Sequence, residues 1–255
     1  MKFSANLGFL WSELPLVDAI HAAKAAGFDA VECHWPYDTP ATEVAKALAK
    51  TDLRMLGINT SRGNAASGEN GLAALPGRET QARQTIDQAL NYADAINTPN
   101  VHVMAGVATG RAAQDTFINN LEYACEQAAK RHITILIEPL NHVDAPGYFL
   151  QTTGQAHEII NTIARPNLKL MFDCYHVQLI EGDITRRLRA LAPIIGHIQF
   201  ASVPDRGPPG AGALDYGHVF DVLAKMGWAS PLGAEYKTNG PTEQSLSWMR
   251  RYQIG

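Results

Sequence analysis

Short apolar runs alternate with longer amphipathic stretches along the whole chain, and this alternation constrains the fold more than any other feature. Eight apolar runs occur, at residues 3–7, 30–32, 54–59, 100–104, 134–138, 168–173, 194–199 and 232–235. Helical stretches follow them at 15–26, 42–50, 78–96, 114–132, 153–164, 185–192, 216–226 and 242–250. Strands that alternate with helices predict a parallel sheet. Eight such units, with no linker-like break, predict one (β/α)8 TIM-barrel domain that spans residues 1–255.

A doubly wound parallel sheet is the alternative architecture for this alternation. Such sheets often bind dinucleotides through a glycine-rich fingerprint, G-x-G-x-x-G, at the first turn. The chain has a Pro/Gly-rich loop at 203–212, but its glycines in the segment GPPGAG do not match that fingerprint. The sequence therefore favours the closed barrel.

The charge and cysteine content limit the partners that we expect. The chain has 21 basic and 25 acidic residues, a net charge of −4, and no basic stripe, which argues against nucleic-acid binding. No apolar run approaches the roughly 20 residues of a membrane span. The three cysteines, Cys33, Cys125 and Cys174, are expected to be free thiols. Together with the lack of a signal-peptide pattern in residues 1–10, they predict a cytoplasmic protein.

Each apolar run has a polar residue at or near its end, and half of these residues are carboxylates. They are Asn6, Glu32, Asn59, His102, Glu138, Asp173, Gln199 and Glu235. The C-terminal ends of barrel strands converge on one mouth, where active sites form. Several buried carboxylates in one mouth cannot all stay ionised without compensation, and a divalent cation is the simplest one. Oxygen ligands favour Mg²⁺ or Mn²⁺ over zinc. Any single carboxylate could instead cap a helix or lie on the surface.

Several other polar residues are candidates for contact with a substrate at this mouth. His176, three residues after Asp173, is predicted on a loop beside the mouth, whereas His197 is interpreted as a core histidine. Arg206 and Lys237 follow the seventh and eighth strands, where barrels often bind anionic groups. An arginine there could hold a substrate carboxylate through two hydrogen bonds. Further candidates are the strand-end residues His102 and Asn59.

Six segments of the chain resemble the hydroxypyruvate isomerase family, which includes 2-oxo-tetronate isomerases and belongs to the xylose-isomerase-like TIM barrels. The segments are FSANL at 3–7, LPGRE at 75–79, IEPLNH at 137–142, FDCYH at 172–176, GHIQ at 196–199 and EYK at 235–237. The resemblance extends over residues 2–248. It implies that Glu138 and Glu235 are the acid/base pair and that His176 and Arg206 contact substrate. It also implies a metal site formed by Glu138, Asp173, Gln199 and Glu235, although many members of the superfamily have histidine in place of Gln199.

The resemblance implies isomerisation of a small hydroxy-oxo acid, either hydroxypyruvate or 2-oxotetronate. Moving a carbonyl to the adjacent carbon requires one group to remove a proton and another to return it. The enediolate formed between these steps is anionic, and a divalent metal would stabilise it as a Lewis acid. A ketose 3-epimerase, a non-catalytic sugar-acid-binding barrel and a nuclease on a related barrel are the alternatives. Trp35, Tyr37 and loop 60–77 are candidates for setting the pocket size, and a homo-oligomer is compatible with the sequence.

Overall fold

A computed structural model describes residues 1–210 and 212–252 of the chain. Ala211, in the predicted loop 203–212, and residues 253–255 lie outside the described residues, so a single domain over 1–255 stays a prediction. The strands are β1 (Phe3–Asn6), β2 (Ala30–Glu32), β3 (Ile58–Asn59), β4 (Asn100–His102), β5 (Thr134–Ile137), β6 (Leu168–Asp173), β7 (Ile195–Phe200) and β8 (Leu232–Ala234). The α-helices are α1 (Leu16–Ala25), α2 (Ala41–Thr51), α3 (Glu79–Ala95), α4 (Gly110–Ala129), α5 (Thr153–Ile163), α6 (Cys174–Ile180), α7 (Ile184–Leu191), α8 (Tyr216–Lys225) and α9 (Met249–Tyr252).

The eight strands form one parallel sheet that closes into a barrel. The strand order is β2-β1-β8-β7-β6-β5-β4-β3, so chain neighbours are also sheet neighbours. The two ends of this order meet through a parallel bridge between Val31 and Met55. Backbone hydrogen bonds add to that contact, from Val31 N to Arg54 O and from Leu56 N to Val31 O. The predicted (β/α)8 barrel is confirmed, and the doubly wound alternative is wrong.

Amphipathic helices cover the outside of the barrel and supply the core between helices and strands. The face predicted on α4, namely Phe117, Leu121, Ala124 and Ala128, is buried throughout. This burial follows from apolar residues recurring at helical spacing. Within the described residues, no helix is both long enough and apolar enough to cross a membrane.

A cluster of aromatic rings packs between the barrel and the helices outside it. The Phe3 ring packs against Trp248 at 4.9 Å between centroids and against Phe200 at 5.7 Å. Phe220, on α8, packs 5.3 Å from Phe200. These contacts are edge-to-face, the geometry that aromatic quadrupoles favour. Neighbouring strand residues point to opposite faces, so Phe200 faces the helices and Gln199 faces the polar interior.

The helix prediction is wrong in one place that matters for the site. His176 was predicted on a loop, but it lies in the first turn of α6, a helix that begins directly after β6. Asp173 ends the strand and also caps the helix, because its side chain accepts a hydrogen bond from Tyr175 N at 2.9 Å. No loop separates the two elements, so His176 is held rigidly beside Asp173.

Smaller differences occur at the ends of two other helices. The predicted stretch 114–132 begins earlier, at Gly110, and ends at Ala129, because the chain turns at His132 with a positive φ of 56°. The predicted last helix, 242–250, is a 3₁₀ helix over Thr242–Trp248 followed by the short α9. Neither difference moves a residue of the mouth.

Candidate active site

The strand ends surround a cavity of about 210 Å³ at the C-terminal mouth of the barrel. Six of the predicted site residues line it: Asn59, His102, Glu138, His176, Arg206 and Glu235. Loop residues complete the wall: Phe9, His34, Trp35, Arg62, Asn70, Met104, Leu140, Asp144 and Ala145. Four strand-end residues, Asn59, His102, Glu138 and Glu235, therefore meet at this cavity, and the predicted metal ligands Asp173 and Gln199 do not line it.

A polar layer lies deeper in the barrel, and both carboxylate oxygens of Glu32 have hydrogen-bond partners there. Glu32 Oε2 lies 2.5 Å from His197 Nε2. Glu32 Oε1 accepts from Gln199 Nε2 at 3.1 Å and from Asn6 Nδ2 at 3.2 Å. The layer fits because Gly233 has no side chain, since a Cβ there would lie 2.4 Å from Glu32 Oε1. Glu32 thus has its own partners within the barrel, and His197 is a hydrogen-bonded core histidine.

Glu235 is buried and fully hydrogen-bonded. Its Oε1 lies 2.8 Å from both Asn6 Nδ2 and His34 Nε2, and its Oε2 accepts from Arg206 Nη2 at 2.5 Å. Burial alone would raise the pKa of this carboxyl, but the Arg206 charge and the His34 hydrogen bond outweigh burial and lower it. Glu235 is therefore an ionised carboxylate in a fixed position.

A missing side chain at Gly8 allows His34 to reach Glu235. A Cβ at Gly8 would lie 2.2 Å from His34 Nδ1 and would clash with the imidazole ring. Gly8 N also donates to Asn6 Oδ1 at 2.9 Å, which orients the Asn6 amide with its Nδ2 toward Glu235. Gly8 thus helps to position two of the four groups that hydrogen-bond Glu235, namely Asn6 and His34.

The guanidinium of Arg206 lies between two aromatic rings and among carboxylates. Its Cζ is 4.7 Å from the Phe9 ring centroid and 4.9 Å from that of Tyr175. Besides Glu235, it approaches Asp144 Oδ2 at 3.3 Å and Asp173 Oδ2 at 3.6 Å. Stacking on both faces and ion pairs at the edge leave this cation little freedom.

Glu138 and Asp173, by contrast, have buried oxygens without partners. Among the described residues, Glu138 Oε1 and Asp173 Oδ2 accept no hydrogen bond, and neither does Gln199 Oε1. Burial and the nearby Glu235 charge raise the pKa of Glu138 well above its ordinary value and that of Asp173 to about 8. The surroundings of these two carboxyls therefore disfavour their ionised forms, although Arg206 Nη2 lies 3.6 Å from Asp173 Oδ2.

These unpaired oxygens fit a divalent cation. Donor atoms of Glu138, Asp173 and His176 all lie within 4.8 Å of one another. Two carboxylates and the amide oxygen of Gln199 are the hard donors that Mg²⁺ and Mn²⁺ prefer. Both oxygens of Glu235 already accept hydrogen bonds from protein groups. As a metal ligand, its predicted role, Glu235 would bind the cation in addition to these hydrogen bonds.

His176 presents an N–H rather than a lone pair to this group. Its Nδ1 accepts a hydrogen bond from Asn141 N at 3.0 Å, so the proton of the neutral ring is on Nε2. Burial lowers the pKa of His176 to about 3, so the ring is neutral. Metal-bound histidines show the opposite arrangement, with the second nitrogen donating. The geometry thus agrees with the predicted substrate contact and not with ligation.

Three predicted residues differ in how they relate to the cavity. His102 lines it, 3.6 Å from Glu138 Oε2, and neither of its ring nitrogens has a hydrogen-bond partner in the described part of the chain. Asn59 also lines it. The Lys237 side chain is exposed and absent from the lining, and its backbone N donates to Arg206 O at 2.7 Å. Lys237 is therefore not brought to the site in this structure.

Trp35 and Tyr37 also have different positions. Trp35 lines the cavity and donates from Nε1 to Thr60 O at 3.1 Å. Tyr37 is outside the lining, and its hydroxyl donates to Asn59 O. Of loop 60–77, Arg62 and Asn70 reach the cavity. Trp35 and this loop thus form one wall, and Tyr37 supports it from behind.

Sequence reasoning missed His34, Arg62 and Asp144 as residues of the cavity. His34 lies two residues after Glu32, and the same spacing argument that linked His197 with Gln199 could have found it. Arg62 and Asp144 lie on irregular loops, where no periodicity indicates the direction of a side chain.

Comparison with known proteins gives concordant matches. A family model described as "Xylose isomerase-like TIM barrel" matches residues 20–252. A putative hydroxypyruvate isomerase of Mus musculus is 41% identical, over 99% of this chain and 95% of the relative. A 2-oxo-tetronate isomerase of Cupriavidus necator is 40% identical, over 98% of both chains. A crystal structure described as AP endonuclease, family 2, from Brucella melitensis superposes with a TM-score of 0.95 and 38% identity, over 98% of both chains.

Proposed function

The chain belongs to the xylose isomerase-like TIM barrel family, and from this membership we propose that it is a metal-dependent isomerase of a small hydroxy-oxo acid such as hydroxypyruvate or 2-oxotetronate. The names of two relatives, each about 40% identical over nearly the full chain, support an isomerase. A cavity of about 210 Å³ has room for a substrate of three or four carbons.

One observation carries the proposal: an ionised, fixed Glu235 shares the cavity with Glu138, which has an unpaired oxygen and a raised pKa. Isomerisation needs one group to remove a proton from a carbon and another to return a proton to its neighbour, so two carboxyls that line one cavity suit both steps. We assign the proton transfers to Glu138 and Glu235.

The remaining residues divide between holding a cation and orienting the substrate. Glu138, Asp173 and Gln199, with Glu235, would hold Mg²⁺ or Mn²⁺, and that cation would supply Lewis-acid stabilisation of negative charge on the substrate oxygens. The Nε2–H of His176 is placed to donate to a substrate oxygen. His102 and Asn59 offer further polar contacts, and Arg206 fixes Glu235.

Proton exchange with solvent tests this function directly. The protein, loaded with Mg²⁺ or Mn²⁺, is incubated in D₂O with hydroxypyruvate or 2-oxotetronate, and deuterium incorporation and isomer formation are followed by NMR. We expect metal-dependent exchange at the carbon that loses its proton, and isomer from at least one acid. Absence of both exchange and isomer with either acid would reject the proposal.

The same assay separates the alternatives. A ketose 3-epimerase would exchange the proton of a neutral ketose and return it to the same carbon, so a ketose panel is run in parallel. A non-catalytic barrel would bind the acids without exchange over long incubation. A nuclease would cleave an abasic-site duplex, and the net charge of −4 argues against such a substrate.

A further inference from the structure

An acid substrate brings a carboxylate into the cavity, and two arginines line that cavity, Arg206 and Arg62. Arg206 is already committed to the chain's own carboxylates, because it pairs with Glu235 and approaches Asp144 and Asp173. Releasing it would leave Glu235 without its cation. A substrate carboxylate therefore needs a different positive charge.

Arg62 is positively charged and has no such commitment. Its Cζ lies 4.8 Å from the ring centroid of Trp35, so the guanidinium stacks on the indole. Its buried Nε has no hydrogen-bond partner among the described residues, and the same is true of Arg206 Nε. What distinguishes Arg62 is that it forms no ion pair within the described residues, whereas Arg206 forms three. A guanidinium with free donors at the edge of a cavity matches a carboxylate, which accepts two parallel hydrogen bonds.

The backbone around Arg62 is fixed in place. Arg62 O accepts from Gly71 N at 3.0 Å, and Thr60 N donates to His102 O at 2.9 Å, so both ends of this segment are attached to other parts of the mouth. The nearby carboxylate of Glu69 is already paired with Arg78 at 2.7 Å. The loop therefore contributes the Arg62 cation to the cavity, while its acidic residue Glu69 is paired with Arg78.

We propose that Arg62, stacked on Trp35, binds the carboxylate of the substrate and gives the site its preference for acids over neutral sugars. This inference rests on the proposed function for the identity of the substrate. It assigns the two arginines separate tasks: Arg62 receives the substrate anion, and Arg206 holds Glu235. The acid is then anchored on the side of the cavity formed by loop 60–77.

Kinetics of Arg62→Met and Arg62→Lys test the assignment, with Arg111→Met as the matched control because the Arg111 side chain is 94% exposed. For the acid that wild type isomerises, we expect Arg62→Met to raise KM about 10- to 100-fold, the range for losing a charged hydrogen-bonded pair. The kcat should change much less, because the carboxylate is bound equally in ground and transition states. Arg62→Lys should recover part of the loss. An unchanged KM in Arg62→Met would overturn the inference.

A binding measurement keeps this test separate from that of the proposed function. Tartronate, a three-carbon dicarboxylate that cannot isomerise, is titrated calorimetrically into the Mn²⁺-loaded protein. We expect wild type and Arg111→Met to bind it alike and Arg62→Met to bind about tenfold or more weakly. Equal affinity in Arg62→Met, or no binding to wild type, would overturn the role of Arg62. Failure of turnover with normal tartronate discrimination would instead reject only the isomerase reaction.

Discussion

Glu138 and Glu235 follow strands of the same barrel and line the same cavity, yet their surroundings are opposite. Asn6, His34 and Arg206 all bind Glu235, and its pKa is lowered. Glu138 has an unpaired oxygen, as does its neighbour Asp173, and both have a raised pKa. We refer to these as the Glu235 half and the Glu138 half of the mouth.

The contrast shows that protein groups stabilise the carboxylate charge in the Glu235 half. In the Glu138 half, a bound cation would have to stabilise it. A buried carboxylate is tolerated when hydrogen bonds and a countercharge replace its lost hydration. The chain's own groups meet this condition in the Glu235 half. In the Glu138 half, Glu138 Oε1 and Asp173 Oδ2 accept no hydrogen bond from the described residues, so a metal would find unpaired donor oxygens there.

Removing either carboxylate should produce the largest effect, since both are assigned to proton transfer. We expect Glu138→Gln and Glu235→Gln each to lower kcat about 10²- to 10⁴-fold, the usual contribution of a positioned acid or base. Deuterium exchange and isomer formation under metal saturation measure the loss. Wild-type rates in either variant would remove that residue from the mechanism.

Without metal, substitutions in the two halves should change the free energy of unfolding differently: a decrease in the Glu235 half, and no decrease in the Glu138 half. Glu235→Gln leaves Arg206 buried without its nearest partner, so we expect the free energy of unfolding to fall by about 3–5 kcal/mol. Asp173→Asn replaces a buried carboxyl whose ionised form is disfavoured, and it still allows the cap on α6, because asparagine caps helices as well as aspartate. It should unfold at the same free energy as wild type or a higher one.

Urea denaturation in the presence of EDTA measures both free energies. Equal destabilisation by the two substitutions would show that the halves do not differ, and the comparison would then fail.

Metal addition should act through the Glu138 half. At a concentration 100 times its Kd, Mn²⁺ should add about 2.7 kcal/mol to the free energy of unfolding of wild type. Asp173→Asn should gain much less. Affinity should rise as the pH is raised toward 8, because the ligand carboxyls must lose their protons and the pKa of Asp173 is raised to about 8. Thermal melts with and without metal at several pH values test this, and equal metal shifts in both proteins would contradict it.

Gly8→Ala should have the smallest effect and should act only on the Glu235 half. The new Cβ would displace the His34 ring and break its hydrogen bond to Glu235. We expect kcat/KM to fall about tenfold, the value of one hydrogen bond to a charged group. A double-mutant cycle with His34→Ala tests whether Gly8→Ala acts through His34. In the His34→Ala background, Gly8→Ala should lower kcat/KM little. Full additivity would contradict it.

The sequence predicted the elements that repeat and missed those that do not. Strand ends such as Glu138 and Asp173 could be found because a short apolar run has a definite end and parallel strands end at one mouth. The helix α6 could not, because Asp173 ends a strand and caps a helix with no turn residues between. Arg62 lies on a loop, and only the folded structure brings it against Trp35.

The pairing of Arg206 with Glu235 was also beyond sequence reasoning. Arg206 was predicted to bind the substrate carboxylate because it follows the seventh strand, where barrels often bind anionic groups, and that contact stays a prediction. Its pairing with Glu235 depends on the distance between two loops that are far apart along the chain and on the Phe9 and Tyr175 rings that fix its plane.

The close approach of Gly8 to His34 has a consequence for how such sites change over evolution. A side chain at position 8 and an imidazole at position 34 cannot occupy the same space. Relatives that have a larger residue at the position of Gly8 should therefore lack a ring at the position of His34 and hold the glutamate on β8 by other donors. Covariation between these two positions, 26 residues apart in the chain, would identify the members that share this arrangement.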